Sequence, residues 1–299
     1  MAASTWTSED IPNLEGKTVI ITGASSGLGK EATKILAQKN ARVIMAVRNT
    51  VKAEQVIEQL KSATSTDNIE IRQLDLGSLA SIKTFAQGVN SSYDQLDILI
   101  NNAGVMACPF SKTEDGFEIQ MGTNHFGHFA LTGLLMPLLK KTTSSRIVAT
   151  SSIAHKQGDI NFADVNWKQR KYNTNKAYSD SKLANLYFSL ELARRSENDA
   201  TAPLITAAHP GWTSTDLQRH SLMFKILNPL FSQNVEMGVL PTLRAATDTS
   251  SISGDYYGPK GMMELKGYPV LVPSNKMPHN EENAQKLWSL SEEYTGVKY

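Results

Sequence analysis

The chain has 299 residues, 40% of them hydrophobic and 20% charged. That composition is close to the soluble globular average and outside the low-hydrophobicity, high-net-charge range of disordered chains. Its 30 basic and 29 acidic residues leave a formal net charge of +1, which argues against nucleic-acid binding because a phosphate-tracking protein carries a basic excess.

The single cysteine, Cys108, excludes an intrachain disulfide and a cysteine-based zinc site. The first ten residues lack the basic and apolar regions of a signal peptide. The longest nearly apolar run, Phe129–Leu139, is broken by Thr132, Gly133 and Pro137. It is shorter than the roughly 18 residues that a membrane span requires. A soluble, cytoplasmic protein without a membrane span is therefore expected.

Short β-branched runs alternate with longer helical patterns along the chain, and no repeat or linker interrupts them. Lys17–Thr22 is a continuous apolar strand ended by Gly23. A helix is expected over about Leu28–Gln38, with Leu28, Ala32, Ile35 and Leu36 on one face. Strand Arg42–Val47, helix Val51–Lys61 and strand Ile69–Gln73 follow, and Ser78 caps a third helix. The later elements are strand Leu96–Ile100, one long helix from Gly116 to about Leu139 and strand Arg146–Thr150. Helix Tyr178–Arg194, strand Leu204–Ala208, helix Val235–Ala246 and helix Glu281–Tyr294 complete the series. This alternation implies βαβ units in an α/β fold: one Rossmann-like, doubly wound parallel sheet in a single domain.

Between the first strand and helix lies Thr22-Gly23-Ala24-Ser25-Ser26-Gly27-Leu28-Gly29. Its glycines permit positive φ and a close ligand approach, and the free N–H groups of the following helix suit a pyrophosphate. After the second strand the chain carries Arg48 and Asn49 and no acid. An acid there would bond a ribose 2′-hydroxyl, whereas a guanidinium matches a 2′-phosphate, so NADP(H) is expected. Asp75 and Leu76 are placed to meet the adenine ring, and Asn102-Ala103-Gly104 lies at the cleft where sheet ligands bind.

Together with Asn101-Asn-Ala-Gly104, a serine and a Tyr-x-x-x-Lys pair, the glycine turn resembles the short-chain dehydrogenase/reductase superfamily over about Gly16–Val297. Four of the nine tyrosines have lysine four residues on. The chemistry needs both side chains on one helix face. Tyr256–Lys260 encloses Gly258-Pro259, Tyr294–Lys298 encloses Gly296 at the chain end, and Tyr172–Lys176 encloses the poor helix formers Asn173-Thr-Asn175. Tyr178–Lys182 instead opens an amphipathic stretch with Leu183, Leu186, Tyr187 and Leu190 and is the pair selected.

A phenol is a poor acid or base at pH 7 unless a neighbouring ammonium stabilises its anion. Tyr178 is therefore the expected general acid/base, and the resemblance implies that Lys182 tunes it and holds the nicotinamide ribose. It further implies that Ser152, with Ser151 as the spare, bonds the substrate oxygen and that Asn124 supports a proton-relay water. By the same resemblance, the loop His209-Pro210-Gly211-Trp212-Thr213-Ser214-Thr215 anchors the carboxamide.

The spacing between Ser152 and Tyr178 is about twice that usual in the superfamily. Similar spacing, Asn124-His-Phe-Gly-His-Phe129, Ser151-Ser-Ile-Ala-His155 and the tail Leu287-Trp, Ser291-Glu and Thr295-Gly-Val297 resemble the branch of retinol dehydrogenases and protochlorophyllide reductase. The intervening segment, 155–177, is polar and partly basic; it either overhangs the substrate cleft or is a solvated loop. The expected organisation is an N-terminal arm, 1–15, and a dinucleotide-binding and catalytic domain, 16–299. A substrate lid is expected over about 216–234; its apolar stretch Leu222–Phe231 suits an apolar substrate. His125 and His128 lack a nearby acidic ligand, so structural roles rather than a metal are expected, and Cys108 is expected at a pocket wall or the surface.

The expected activity is NADP(H)-dependent hydride transfer between nicotinamide and the carbonyl or alcohol of a small, apolar molecule. The alternatives are an NADPH-dependent C=C reductase and a non-catalytic NADP(H)-binding regulator. Relatives are often dimers or tetramers, which leaves a homo-oligomer open.

Overall fold

The computed structural model describes residues 5–64, 66–213, 232–274 and 277–299. Ser214, Thr215 and the Leu222–Phe231 stretch of the expected lid lie outside the described residues.

Eight strands form one sheet in the order β3-β2-β1-β4-β5-β6-β7-β8. They are β1 (Thr18–Thr22), β2 (Arg42–Val47), β3 (Ile69–Gln73), β4 (Ile98–Asn101), β5 (Arg146–Thr150), β6 (Leu204–Ala208), β7 (Tyr256–Pro259) and β8 (Pro269–Leu271). All neighbouring pairs are parallel except β7–β8. Strand order reverses beside β1, which pairs with both β2 and β4. Ligands of such sheets bind outside the carboxyl ends of the strands at this switch point.

The helices are α1 (Gly27–Gln38), α2 (Thr50–Thr64), α3 (Leu79–Ser92), α4 (Ile119–Met121), α5 (Gly127–Lys141), α6 (Thr174–Arg195), α7 (Val235–Gly238), α8 (Leu240–Thr247) and α9 (Glu281–Thr295). The central strands are buried on both faces, which explains their apolar runs, whereas the edge strands β3 and β8 are only partly covered. Val19 and Ile21 join a core with Leu36, Val43 and Leu243, while Ile20 points into the other core with Phe129, Leu131 and Leu192. Trp6, Ile11 and Leu14 are buried in the first of these cores, so the residues before β1 pack onto the domain. Among the described residues no helix is long and apolar enough to cross a membrane.

Several expected boundaries need correction. The single helix over Gly116–Leu139 is three segments: α4, a π-helical stretch over Gly122–Phe126, and α5. It starts only at Ile119 because Gly116, at φ 85°, belongs to a turn and because the Glu118 side chain caps the N–H groups of Gln120 and Met121. The helix over Val235–Ala246 is broken into α7 and α8, with Pro241 in the first turn of the second. Helix α6 starts four residues before Tyr178: Asn173, a poor interior residue, is a good N-cap and accepts from Lys176 N. Strands β7 and β8 escape sequence patterning because β7 is four residues long and carries Gly258-Pro259. Only Tyr256 and Tyr257 of β7 pair with β6.

The 155–177 segment is not a solvated loop. Ile160, Val165 and Trp167 are buried. The Asp164 carboxylate accepts the N–H groups of Lys168, Gln169 and Arg170. Lys176 ion-pairs with buried Asp180 at 2.8 Å.

Candidate active site

The β1–α1 turn is shaped for close backbone approach. Gly23 and Gly27 have φ of 69° and 51°, in the left-handed region that favours glycine. A Cβ on Gly23 would lie 3.0 Å from Ala103, and one on Gly29 would lie 2.5 Å from Gly23 O and 2.7 Å from Asn102 Nδ2. Asn102 Nδ2 in turn donates to Thr22 O at 2.8 Å. Ser26 precedes α1 with extended backbone, yet its side chain makes no capping bond. The first-turn N–H groups thus take no bond from the Ser26 side chain, and the positive end of the helix dipole lies behind them. Ser25 and Leu28 belong to the same turn, and Leu28 packs against the core. Gly29→Ala is expected to lower stability by about 1–3 kcal/mol and to weaken dinucleotide binding, because backbone rather than a flexible side chain must move. Thermal melting with and without NADPH checks both effects.

One hydroxyl organises this turn from behind. Thr22 Oγ1 accepts from Asn102 N and Ala103 N, each at 2.9 Å. It also meets His128 Nε2 at 2.9 Å. His128 Nδ1 lies 2.9 Å from Asn124 O, an acceptor only, so the proton is on Nδ1 and Thr22 donates to Nε2. Burial lowers the His128 pKa to about 4, which keeps the ring neutral. His125 is likewise buried, with Nε2 2.8 Å from Ser291 Oγ. Both imidazoles thus serve packing and bonding within the fold.

At the carboxyl end of β2, Arg48 is exposed and pairs with no carboxylate among the described residues. Asn49 Oδ1 accepts from Lys52 N at the start of α2. Asp75 folds back onto Gly77 N at 2.8 Å, and the Leu76 side chain is buried in the core.

The expected catalytic residues converge at the carboxyl ends of β4 and β5. Ser152 follows β5 and caps a 3-10 turn over Ile153–Gln157, accepting from Ala154 N. Ser152 lies close enough to the Tyr178 phenol to act on its titration. Ser151 Oγ instead donates to Lys182 O at 2.8 Å, so that hydroxyl holds the backbone of α6. Lys182 Nζ lies one helical turn from Tyr178, 5.8 Å from its ring centre, and donates to Thr150 O at 3.1 Å. Burial raises the Tyr178 pKa to about 12, against a lowering by nearby Ser152, and lowers that of Lys182 to about 8.

Asn124 sits in the π-helical stretch, a distortion that recurs at functional sites. Its side chain accepts from Val105 N at 2.8 Å and donates to Val105 O at 3.0 Å and Ser181 Oγ at 2.9 Å. A Cβ on Gly104 would lie 3.1 Å from Asn124 Oδ1 and 3.5 Å from Lys182 Nζ. The absence of that Cβ leaves room for both side chains beside the Gly104 backbone.

Tyr172 lies before the cap of α6 and faces elsewhere. Its hydroxyl donates to Glu118 Oε1 at 2.7 Å and accepts from Gln120 Nε2 at 2.8 Å. Gln120 Oε1 accepts from Ala107 N, and Thr174 Oγ1 donates to Cys108 O. The end of the 155–177 segment thus braces the loop after β4. Half-buried Cys108 lies in that loop.

After β6, Thr213 Oγ1 donates to Pro210 O, Gly211 has a φ of 65°, and Trp212 N donates to Leu265 O. A layer not anticipated from the sequence lies under Ser152. His155 donates through Nδ1 to Ser152 O at 2.7 Å, and the Tyr256 ring packs between His155 and His209, with centres 5.7 and 5.3 Å away. The Tyr256 hydroxyl lies 3.5 Å from His155 Nδ1. Tyr257 points to the opposite face, where its hydroxyl meets Ser251 Oγ at 2.8 Å. Tyrosine in a strand with a glycine and a proline carried no pattern that could have found this layer.

A glycine cradle at the switch point of a parallel sheet, with a Ser–Tyr–Lys cluster beside it, defines a dinucleotide-dependent oxidoreductase. The chain belongs to the short-chain dehydrogenase family, whose model matches residues 17–223. It lies in the branch of that family that contains retinol dehydrogenases. Human retinol dehydrogenase 13 is 39% identical over 296 residues, covering 95% of this chain and 86% of that protein. An uncharacterized protein from Mycobacterium paratuberculosis has a crystal structure with TM-score 0.85 and 40% identity, covering 99% of each chain. A short chain dehydrogenase from Shigella flexneri, solved in complex with NADP, has TM-score 0.66 and 25% identity, covering 83% of this chain and 98% of that one.

Proposed function

We propose that the chain is an NADP(H)-dependent alcohol dehydrogenase/carbonyl reductase for a small apolar molecule. The observation that carries this reading is Lys182 Nζ 5.8 Å from the Tyr178 ring centre, one turn along the same helix, with Ser152 close enough to lower the phenol's pKa. The open N-terminus of α1 and the Gly23/Gly29 cradle fit a pyrophosphate. Pro210–Thr213 would border the nicotinamide end, with Lys182 on its ribose. Bound nicotinamide supplies or accepts the hydride at C4. In reduction, Ser152 and Tyr178 hold the substrate carbonyl oxygen and Tyr178 gives it a proton as the carbonyl carbon gains hydride. In oxidation Tyr178 takes the alcohol proton. Asn124 holds the chain next to Lys182, from which a water could resupply protons.

The retinol dehydrogenase relative supports an apolar alcohol or aldehyde as substrate. The test follows absorbance at 340 nm with NADPH, and separately NADH, over retinoids and a panel of aldehydes, ketones and enones. Turnover of carbonyls supports the reading; turnover of enones alone favours the C=C reductase, and NADPH binding without turnover of any substrate favours the regulator. Arg48 carries the cofactor choice. Arg48→Ala is expected to weaken NADPH binding by about 10–100-fold, the loss of one charge-assisted contact, and to leave NADH nearly unchanged. Equal effects on both nucleotides would remove that assignment.

A further inference from the structure

We infer that Glu264 is a positioning residue: it clamps the His209–Trp212 loop to the segment after Ser152 and so sets the subsite for the nicotinamide end of the cofactor. The inference rests on the proposed cofactor reading and names a residue outside the Ser–Tyr–Lys set. Glu264 lies in the connection between β7 and β8, more than a hundred residues from Ser152 in sequence. Its carboxylate has two partners. Oε1 accepts from Lys156 Nζ at 2.7 Å, and Oε2 accepts from His209 Nε2 at 3.0 Å. The acceptor role at Oε2 follows from the other ring nitrogen: His209 Nδ1 accepts from Gly211 N at 3.2 Å, so its proton resides on Nε2.

Both partners flank the site. Lys156 belongs to the 3-10 turn that Ser152 caps. His209 follows β6, whose last residue pairs with Thr150 of β5 just before Ser151. His209 is buried, and its ring packs against Gly258, where any Cβ would collide with the imidazole. The same β7–β8 connection grips the next residues through the backbone: Leu265 O accepts from Trp212 N at 2.7 Å. Gln233 completes the strap, donating to Pro210 O and accepting from Gly267 N.

The backbone conformation of the clamp is itself costly. Met263 and Glu264 both adopt left-handed φ, 56° and 58°, a region that disfavours residues with a Cβ. Such conformations persist where surrounding contacts over-determine them, and they cluster at functional sites. The backbone bonds hold the strap in place. The carboxylate sets the spacing between the Ser152 segment and the His209 loop, which Tyr256 fills from below.

The test compares wild type with Glu264→Ala, Glu264→Gln and Lys156→Met by titration with NADPH and with 2′-phospho-ADP-ribose, which lacks nicotinamide. Expected for Glu264→Ala are a dissociation constant for NADPH raised about tenfold and one for the fragment within about twofold of wild type. Glu264→Gln keeps an acceptor for His209 and is expected to recover most of the loss, and Lys156→Met to fall between the two. In turnover, KM for NADPH rises more than kcat falls. Equal weakening of both ligands, or a lowered melting temperature with neither ligand affected, overturns the assignment. So does wild type that binds NADPH no more tightly than the fragment. Wild type that binds neither ligand overturns the cofactor reading itself.

Discussion

Tyr178→Phe is expected to reduce turnover by about 10²–10⁴-fold, the usual worth of a positioned general acid/base, while NADPH binding stays near wild type. The substitution removes one buried hydroxyl and nothing else. Ser152 keeps its bond to Ala154 N, and the ring stays packed on α6. Tyr172→Phe is the matched control, since it deletes a phenol with the same Lys spacing. That change deprives Glu118 of a donor, but Glu118 keeps the N–H groups of Gln120 and Met121, and Gln120 Nε2 keeps Thr174 O. It should cost about 1–3 kcal/mol of stability and leave turnover largely intact. The measurement is NADPH oxidation at 340 nm, with fluorescence titration of binding and denaturant melts alongside. Loss of turnover in Tyr172→Phe with retention in Tyr178→Phe would exchange the two roles. The direction of the Tyr178 shift also bears on pH. With its pKa near 12 the phenol is protonated at neutral pH, so reduction proceeds there. Alcohol oxidation, which needs the phenolate, should rise with pH through the alkaline range.

Lys182→Met is expected to abolish turnover and at the same time remove a cost to the fold. Burial lowers the folded-state pKa of Lys182 from 10.5 to about 8. Between these values the unfolded chain binds more protons than the folded one, so this group makes wild type more stable as pH rises from about 8 to 10.5. Below pH 8 the buried ammonium costs the folded protein on the order of 3 kcal/mol, at 1.36 kcal/mol per unit. Methionine fills similar space, and Thr150 O keeps its bond from Asn185 Nδ2 at 2.9 Å. Denaturant melts at pH 7 and pH 10 should therefore show a variant at least as stable as wild type at pH 7, with wild type gaining on it at pH 10. A relative loss by wild type on going to pH 10 would contradict the direction of the shift. A charged group kept at such cost is consistent with its proposed role beside Tyr178.

The sequence by itself determined the parts whose information is local. Strands β1, β2, β4 and β5 carry largely apolar runs because both of their faces are covered, whereas β3 alternates and is only partly buried. The glycine turn after β1 was legible because positive φ restricts residue choice, and Tyr178–Lys182 because only that pair sits within a helical pattern. Ser78 as a cap was legible for the same reason: capping is settled within one turn.

Tertiary structure alone decided what depends on residues far apart in the chain. The helix over Gly116–Leu139 carried no local mark of its π-helical stretch, which places Asn124 against Val105 and Ser181. The two serines after β5 have the same side chain, and only the tertiary packing turns one hydroxyl to Lys182 O and leaves the other to accept from Ala154 N beside Tyr178. The 155–177 segment is polar in composition yet packed, because buried carboxylates such as Asp180 find their partners in space. Strands β7 and β8 are too short and too rich in proline for a period to show. The Lys156–Glu264–His209 clamp joins three loops across sequence separations of 108 and 55 residues. Hydrogen bonds and packing at such separations follow from where the sheet brings chain segments together, and no window of local sequence contains that information.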